Sequence, residues 1–482
     1  MIAGGAWAMS TAQTMTFTFM ATALAEEFPV AKTEKAFLQL GSSMLGAFAG
    51  AFIFGYYADI YGRKFALLVS FVLTHAAGTL CAVSPHTMVL TLLRFIVGLG
   101  LGGQQPIICT LIMELAPTNV RGRALVYLDA FGPIGAIGAM ILCRELEPTI
   151  GWRAVAAISA GAFAYIPLLY YFVPESPKWL AMSGKIDEAV RVLRTIERAS
   201  SVFHGEEADD VIKVDLQLGG EDTKRMILRT HQPSFVELMA NRFRILTQFP
   251  YLSRTLMLWF AWTVMTTSNS AMCVYLDETF LEEVTNRSEQ TLLVYSVLGG
   301  QLLGNLFVGA LIDRAGRRYT IFAFVLLVSG GSLMEVYLER TIHWMTFSGF
   351  FRNFAFMAAW GCLFAYTPEL YPMSIRVIGI SYAWGISRLG FFAGPYLVIW
   401  VKANSDMDDT GITWVLFALL LVLALVVLVF GIETANRDAE SRGSNISTDR
   451  ESCGTVISYQ KHEDRDLLPI MGNTVHAPIH II

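Results

Sequence analysis

The stretch Gly55-Tyr-Tyr-Ala-Asp59-Ile-Tyr-Gly62-Arg63-Lys64 closes one apolar run, and Gly309-Ala-Leu-Ile-Asp313-Arg-Ala-Gly316-Arg317-Arg318 closes another 254 residues later. Glycine, aspartate and the Gly-Arg-basic ending keep the same spacing in both copies. Other pairs repeat at nearly the same interval. Glu114 and Arg121 return as Glu369 and Arg376, 255 residues on. Arg94 and Arg352, each inside an apolar run, are 258 apart, as are Glu175 and Glu433, each just after one. Coincidence does not supply four such pairs at nearly one offset, so the chain is a duplicated unit, the construction from which alternating-access carriers are made.

Between these landmarks the chain of 482 residues is 54% apolar and 16% charged, against about 25% charged in an average soluble domain. Apolar runs of spanning length fall at about 4–25, 37–57, 65–84, 87–113, 125–145 and 153–173, then at 254–276, 289–312, 320–338, 343–366, 378–400 and 412–432. Six plus six such runs predict an all-α polytopic membrane protein, with twelve transmembrane helices in two pseudo-symmetric six-helix lobes. Strands are not required, because backbone facing lipid must satisfy itself within a helix. A net charge of −5 gives no basic face for nucleic acid. There is no H-E-x-x-H, G-x-S-x-G, P-loop or Cys/His zinc pattern, so neither an enzyme nor a cofactor or metal is expected. The six cysteines contain no C-x-x-C and read as buried thiols. The first lysine is Lys32, so the charged region that would open a signal peptide is missing.

The expected organisation is an N-terminal lobe at 1–173, a polar cytosolic central segment at 174–252, a C-terminal lobe at 253–434 and a disordered cytosolic tail at 435–482. Lys and Arg are retained on the cytosolic side. Arg63, Lys64, Arg121, Arg123, Arg314, Arg317, Arg318 and Arg376 occupy one set of short loops, while Glu26, Glu27, Asp277, Glu278, Asp408 and Asp409 mark the other. Both termini are therefore expected in the cytosol. Ile186, Ala189, Val190, Leu193 and Ile196 recur at helical spacing among charges, predicting an amphipathic helix on the cytosolic surface.

The repeated G-x-x-x-D-x-x-G-R-[RK] pattern resembles the major facilitator superfamily. Pro174-Glu175-Ser176-Pro177-Lys178-Trp179-Leu180, Gly151-Trp152-Arg153, Thr367-Pro368-Glu369-Leu370-Tyr371-Pro372 and Ile432-Glu433-Thr434 are similar to its organic cation/anion transporter branch, nearest to the synaptic-vesicle-two-related subgroup and bacterial aromatic-acid and nicotinate carriers. The resemblance implies that Asp59, Arg63, Arg121, Asp313, Arg317, Glu369 and Arg376 form latches that hold the cytosolic side shut. Asp59 is expected to accept from a helix N-terminus or pair with Arg121 or Arg123, and Asp313 to pair with Arg376. Gly98-Leu-Gly100-Leu-Gly102-Gly103 matches a dinucleotide pattern but lies inside a span, where small residues serve close helix packing.

Three arginines lie inside spans, where an unpaired guanidinium costs at least ~2.5 kcal/mol. Arg94 and Arg352 are structural brackets or part of the pathway. Arg388, near the middle of the eleventh span with no acid in the same run, is expected to face a central cavity and receive a carboxylate or sulfonate. In the branch that the sequence resembles, anion carriers have Arg here and cation carriers tend to have Asp. Trp262, Tyr382 and Trp384, with Trp259, Trp360 and Tyr366, offer aromatic walls, and Asn269 stands where the family commonly has a tyrosine pair. Ser10 and Gln13 occupy first-span positions where proton-linked relatives carry acids; Gln13 is expected at the substrate. His75, Asp129 and Glu335 remain as titratable groups, the last two placed near span ends, so facilitated diffusion or exchange is expected.

The expected function is a monomeric carrier in a lipid bilayer moving a small organic ion, preferably an anion. Alternatives are an organic cation or sugar-like solute carrier, or a ligand-binding membrane protein that does not transport. Glu463-Asp-Arg-Asp-Leu467-Leu468 resembles an acidic dileucine sorting signal, and Asn286-Arg287-Ser288 fits a glycosylation acceptor. The plasma membrane or an endolysosomal or vesicle membrane is the expected location.

Overall fold

The computed structural model describes residues 1–20, 24, 27, 41–116, 120–204, 235–249, 251–283, 286–338, 341–371, 375–404 and 409–434. The tail with its dileucine pattern lies outside them. The first lobe contains α1 (Ile2–Phe19), α2 (Ser42–Tyr61), α3 (Arg63–Leu80), α4 (Thr87–Leu115), α5 (Arg121–Asp129), α6 (Phe131–Ile158) and α7 (Ile166–Phe172). Among the described residues that follow are α8 (Pro177–Met182), α9 (Ile186–His204) and α10 (Phe235–Leu246). The second lobe contains α11 (Leu252–Glu283), α12 (Arg287–Ala315), α13 (Arg317–Tyr337), α14 (Ile342–Glu369), α15 (Arg376–Asn404) and α16 (Asp409–Phe430). Helix α9 begins where the amphipathic spacing begins, and Ser176 caps α8 by accepting from the Trp179 backbone N–H at 3.2 Å.

Helices α5 to α7 form two crossings. Asp129 to Phe131 marks a local break within the first, and Gly151, with φ 78°, turns the chain back into the second. The expected twelve-helix, two-lobe architecture is therefore present. Among the described residues six stretches are long and apolar enough to span by composition alone: Ser42–Tyr61, Arg63–Val83, Thr87–Leu115, Arg121–Phe172, Ser288–Ala315 and Thr410–Phe430. The other crossings carry buried polar groups such as Ser10, Gln13, Glu335, Arg352 and Arg388, which face protein and lower the average hydropathy.

Packing repeats between lobes. Helix α4 packs on α2 and α3, and α14 on α12 and α13; α1 packs on α6, and α11 on α15. The glycine run in α4 does what close helix packing requires: Gly98 and Gly102 lie against the backbone of Ser43 and Ala47 in α2, where a Cβ would collide with carbonyl oxygens. The lobes meet through α2 with α15 and through α5 with α12 and α14.

The Gly-Arg endings explain themselves in three dimensions. Gly62 and Gly316 precede α3 and α13 with φ of 100° and 82°, a region costly for residues with a Cβ. Glu175 fills the space beside Gly62 and accepts from the backbone N–H of Arg63 at 2.8 Å and of Lys64 at 3.1 Å. Glu433 does the same beside Gly316, accepting from Arg317 at 2.9 Å and Arg318 at 3.2 Å. Each carboxylate thus meets the free N–H groups and positive dipole end of a helix. Burial pushes the Glu175 carboxyl up, opposed by the N–H groups of Ser176, Arg63 and Lys64 and by the Arg63 charge.

At the opposite end, the Gly151-Trp-Arg153 segment ties loops together. Arg153 donates to the carbonyls of Ala82 at 2.8 Å and Ser84 at 3.0 Å and pairs with Glu27, which also accepts from the Trp152 indole at 2.6 Å. The Arg153 guanidinium, helped by that indole, holds the Glu27 carboxyl below its ordinary range.

Candidate functional site

The basic end of the bundle holds two matching clusters. In the first lobe, Nη2 of Arg63 lies 3.2 Å from Asp59 and 3.3 Å from Glu114, while Nη1 donates to the Ala58 carbonyl at 3.2 Å. In the second, Nη2 of Arg317 lies 3.3 Å from Asp313 and 3.2 Å from Glu369, while Nη1 donates to Ile312 at 3.2 Å. Arg121 and Arg376 hold the carbonyls five residues before them, Ala116 at 3.4 Å and Tyr371 at 3.3 Å. Asp59 meets Arg63, one helical turn on, and Asp313 meets Arg317 likewise, because the Gly-Arg turn folds the arginine back over the aspartate.

Across the lobes Arg123 makes a charge contact with Asp313, 3.4 Å apart. Gly122 lies beside the Arg317 guanidinium, Gly55 against Ser381 and Gly309 against Tyr127. The Tyr56 and Tyr382 hydroxyls are 3.2 Å apart. The lobes therefore touch at the basic end, and the two clusters brace the surfaces that touch.

Further in, Arg388 of α15 is buried, and its Nη2 donates to Oε1 of Gln105 in α4 at 3.3 Å, a bond from one lobe to the other. Its guanidinium carbon sits 3.9 Å from the centre of the Trp384 ring and 5.6 Å from that of Phe391. Trp384 is at the centre of an edge-to-face set: Trp262 at 5.3 Å, Trp360 at 5.8 Å, Trp7 of the other lobe at 6.3 Å and Phe364 at 6.3 Å. Such T-shaped pairs fix ring orientation. Trp262 is held further by its indole, which donates to Thr367 at 3.0 Å. Nε of Arg388 and the indole nitrogens of Trp384 and Trp7 are buried without a hydrogen-bond partner among the described residues. An unused Nε on a buried guanidinium suits a ligand that brings acceptors and negative charge.

The remaining expected site residues are more dispersed. Tyr382 lies toward the basic end, 4.4 Å from Phe52, stacked 6.2 Å from Trp259 and 5.4 Å from Phe243 of α10, so its hydroxyl contact with Tyr56 belongs to the closure between lobes. Asn269 is half-buried on α11 beside Ser270, which packs on Gly390 and Gly394 of α15. Gln13 sits against Gly78 of α3, inside the first lobe. One turn earlier Ser10 donates to Gln104 at 2.5 Å and lies 3.4 Å from His75, so this face of α1 belongs to the packed interior of the lobe. Arg352 pairs with Glu335 at 2.9 Å in a buried bracket between α14 and α13, and Arg94 lies over the Phe17 ring at 4.5 Å.

Sequence reasoning missed Gln105, which is silent in a span, and misplaced Asp129. Helix α5 begins at Arg121, so Asp129 lies ~12 Å along the helix at 1.5 Å per residue. There it is buried and accepts from Asn305 of the second lobe at 3.2 Å.

With this geometry in view, the comparison with known families is decisive: the model described as sugar (and other) transporter matches residues 4–442. The chain belongs to that family. A niacin transporter of Acinetobacter baylyi is 29% identical over 446 residues, covering 92% of this chain and 95% of the relative. The organic cation/carnitine transporter 7 of Arabidopsis thaliana is 26% identical over 468 residues, covering 90% and 91%. The synaptic vesicle 2-related protein of Xenopus laevis is 25% identical over 420 residues, covering 82% and 71%. Among solved structures, the major facilitator superfamily proton:xylose symporter bound to 6-bromo-6-deoxy-D-glucose superposes with a TM-score of 0.73 at 18% identity, covering 92% of this chain and 97% of that one. Fold and family are those of membrane transporters.

The basic-end clusters yield an expected result. Asp313 is in both its own cluster and the cross-lobe pair with Arg123, a pair partly open to solvent and worth roughly 0.5–1 kcal/mol. Asp313→Asn is therefore expected to raise the population opened at this end by about two- to fivefold, seen as faster maleimide labelling of Ser381→Cys. Labelling that Asp313→Asn leaves unchanged would show that this pair does not hold the lobes together.

Proposed function

We propose that this protein carries a small aromatic carboxylate of the niacin type across a membrane, by rocking its two lobes about the Arg388–Trp384 cluster. The observation that carries the reading is a buried guanidinium between the lobes, bonded across the interface to Gln105, with Nε unused and flat aromatic rings beside it. A carboxylate on Arg388 would gain charge-assisted, two-point hydrogen bonds, and a planar ring would stack among Trp384, Trp360 and Trp262. The similarity to a niacin transporter over nearly its whole length supports a pyridine carboxylate in particular. The Arg388 charge repels an organic cation and already occupies the Trp384 face that a cation would use. A sugar would leave that charge uncompensated.

The positive-inside rule supports reading the basic end as the cytosolic one, with the closure, both termini and the central segment on that side. The tryptophans supply the test. Titration of the purified protein with niacin, benzoate, a quaternary ammonium and a hexose, read by intrinsic tryptophan fluorescence, is expected to give saturable changes with the carboxylates alone. Saturation by the ammonium or the hexose and not by the carboxylates would overturn the assignment.

A further inference from the structure

Two adjacent glutamines of α4 are used in opposite ways. Gln104 is turned into its own lobe with its amide engaged on both sides: it accepts from Ser10 and donates to the Ser70 carbonyl at 3.2 Å and to Thr74 at 2.9 Å. Gln105, one residue on and so about 100° further round the helix, is turned to the other lobe. It is 2% exposed, and its Oε1 accepts from Nη2 of Arg388 at 3.3 Å. Its Nε2 donates to nothing among the described residues. An amide buried between lobes with its N–H groups unused is placed to gain from a ligand that brings acceptors.

The bond that Gln105 does make lies on the edge of Arg388 that a carboxylate would use. Nε and Nη2 share one side of the planar guanidinium, where a carboxylate accepts from both in parallel. Oε1 of Gln105 covers Nη2, and Nε beside it is buried without a partner among the described residues. A neutral oxygen thus holds half of that edge, at a distance longer than the ~2.7–2.9 Å usual between a guanidinium and a carboxylate. An anionic oxygen bonds Nη2 more strongly and displaces it.

We infer that Gln105 is the residue that tells a carboxylate from a carboxamide. The inference rests on the reading of Arg388 as the anion's seat. Before a substrate arrives, the Gln105 carbonyl stands in for one carboxylate oxygen. When a carboxylate takes the Nε–Nη2 edge, the Gln105 amide turns over about its last side-chain bond and donates from Nε2 to a carboxylate oxygen, so that donors from both lobes hold the ligand. A carboxylate or sulfonate accepts from all of them. A carboxamide on the same ring has one oxygen, and its NH2 group is set against the N–H groups of Arg388 or Gln105, which leaves buried donors unmatched. Glutamate at this position has the same shape and reverses the pattern: it accepts where Gln105 donates and neutralises Arg388. A carboxamide then fits, with its oxygen on Arg388 and its NH2 on residue 105.

The test measures binding to the purified full chain by tryptophan fluorescence, with niacin against nicotinamide and benzoate against benzamide, so that the ring is constant within each pair. The wild type is expected to bind each carboxylate at least about tenfold more tightly than its amide. Gln105→Glu is expected to weaken the carboxylates by at least about tenfold and to strengthen the amides, inverting the preference. Gln105→Met keeps the length without the amide, and is expected to weaken the carboxylates by about tenfold while leaving the amides unchanged. A strut between lobes that never meets the ligand moves both members of a pair by one factor. An unchanged carboxylate-to-amide ratio in Gln105→Met, or amides bound as tightly as carboxylates by the wild type, therefore overturns the inference alone, whether or not Gln105→Glu folds. No saturable binding of either carboxylate by the wild type overturns it together with the function on which it rests.

Discussion

Uptake of an aromatic carboxylate is expected to fall at least about a hundredfold in Arg388→Ala. A hydrogen bond to a charged group contributes about 1.5–3 kcal/mol, or roughly ten- to a hundredfold in affinity, and a guanidinium offers two to one carboxylate. Arg388→Lys keeps the charge but loses the planar fork and the stacking on Trp384, so an intermediate loss of about tenfold is expected. Folding is not the cause in either case. Removing Arg388 leaves Gln105 without one weak partner and relieves the bundle of a buried cation that has an unused Nε. The variants should therefore elute and melt like the wild type. Wild-type uptake in Arg388→Ala would show that the guanidinium is a structural brace.

The second large effect concerns stability. Arg352 and Glu335 form a buried pair, with side chains 3% and 0% exposed, between neighbouring helices of the second lobe. Glu335→Ala leaves the guanidinium without its carboxylate, a loss of roughly 3–5 kcal/mol. That corresponds to a fall in melting temperature of roughly 10 °C for a unit the size of one lobe. The double change Glu335→Leu with Arg352→Met removes both charges and is expected to regain most of the loss, since apolar replacement of a buried pair is often neutral. Thermal unfolding in detergent followed by size exclusion measures both. A single variant as stable as the wild type would mean that Arg352 finds another acceptor.

The architecture was legible because two signals agreed. Spanning runs count the helices, and the repeated aspartate and Gly-Arg spacing divides them into halves. What the sequence concealed lies at contacts between distant elements. Glu175 was visible as one of a repeated pair, but its use, capping a helix that begins 112 residues earlier, appears only when Gly62 leaves room for it. Asp129 was misjudged because the polar residues Arg121 and Arg123 hide the true start of α5, so the apolar run reads as starting only at about 125, close to the aspartate. Arg388 could be singled out from the energetic burden of a charge in mid-span, whereas its partner Gln105 carries no such burden. Gln13 was placed by analogy with relatives' acids, and the packing of α1 on α3 holds it inside the lobe instead.

Labelled niacin exchange by the purified protein in liposomes, run beside Arg388→Ala, tests the central claim most directly. The predicted result is saturable exchange by the wild type, blocked by benzoate and not by a quaternary ammonium or a hexose, and lost in Arg388→Ala. Binding without flux in the wild type, or exchange that the ammonium or the hexose blocks and Arg388→Ala retains, would contradict it.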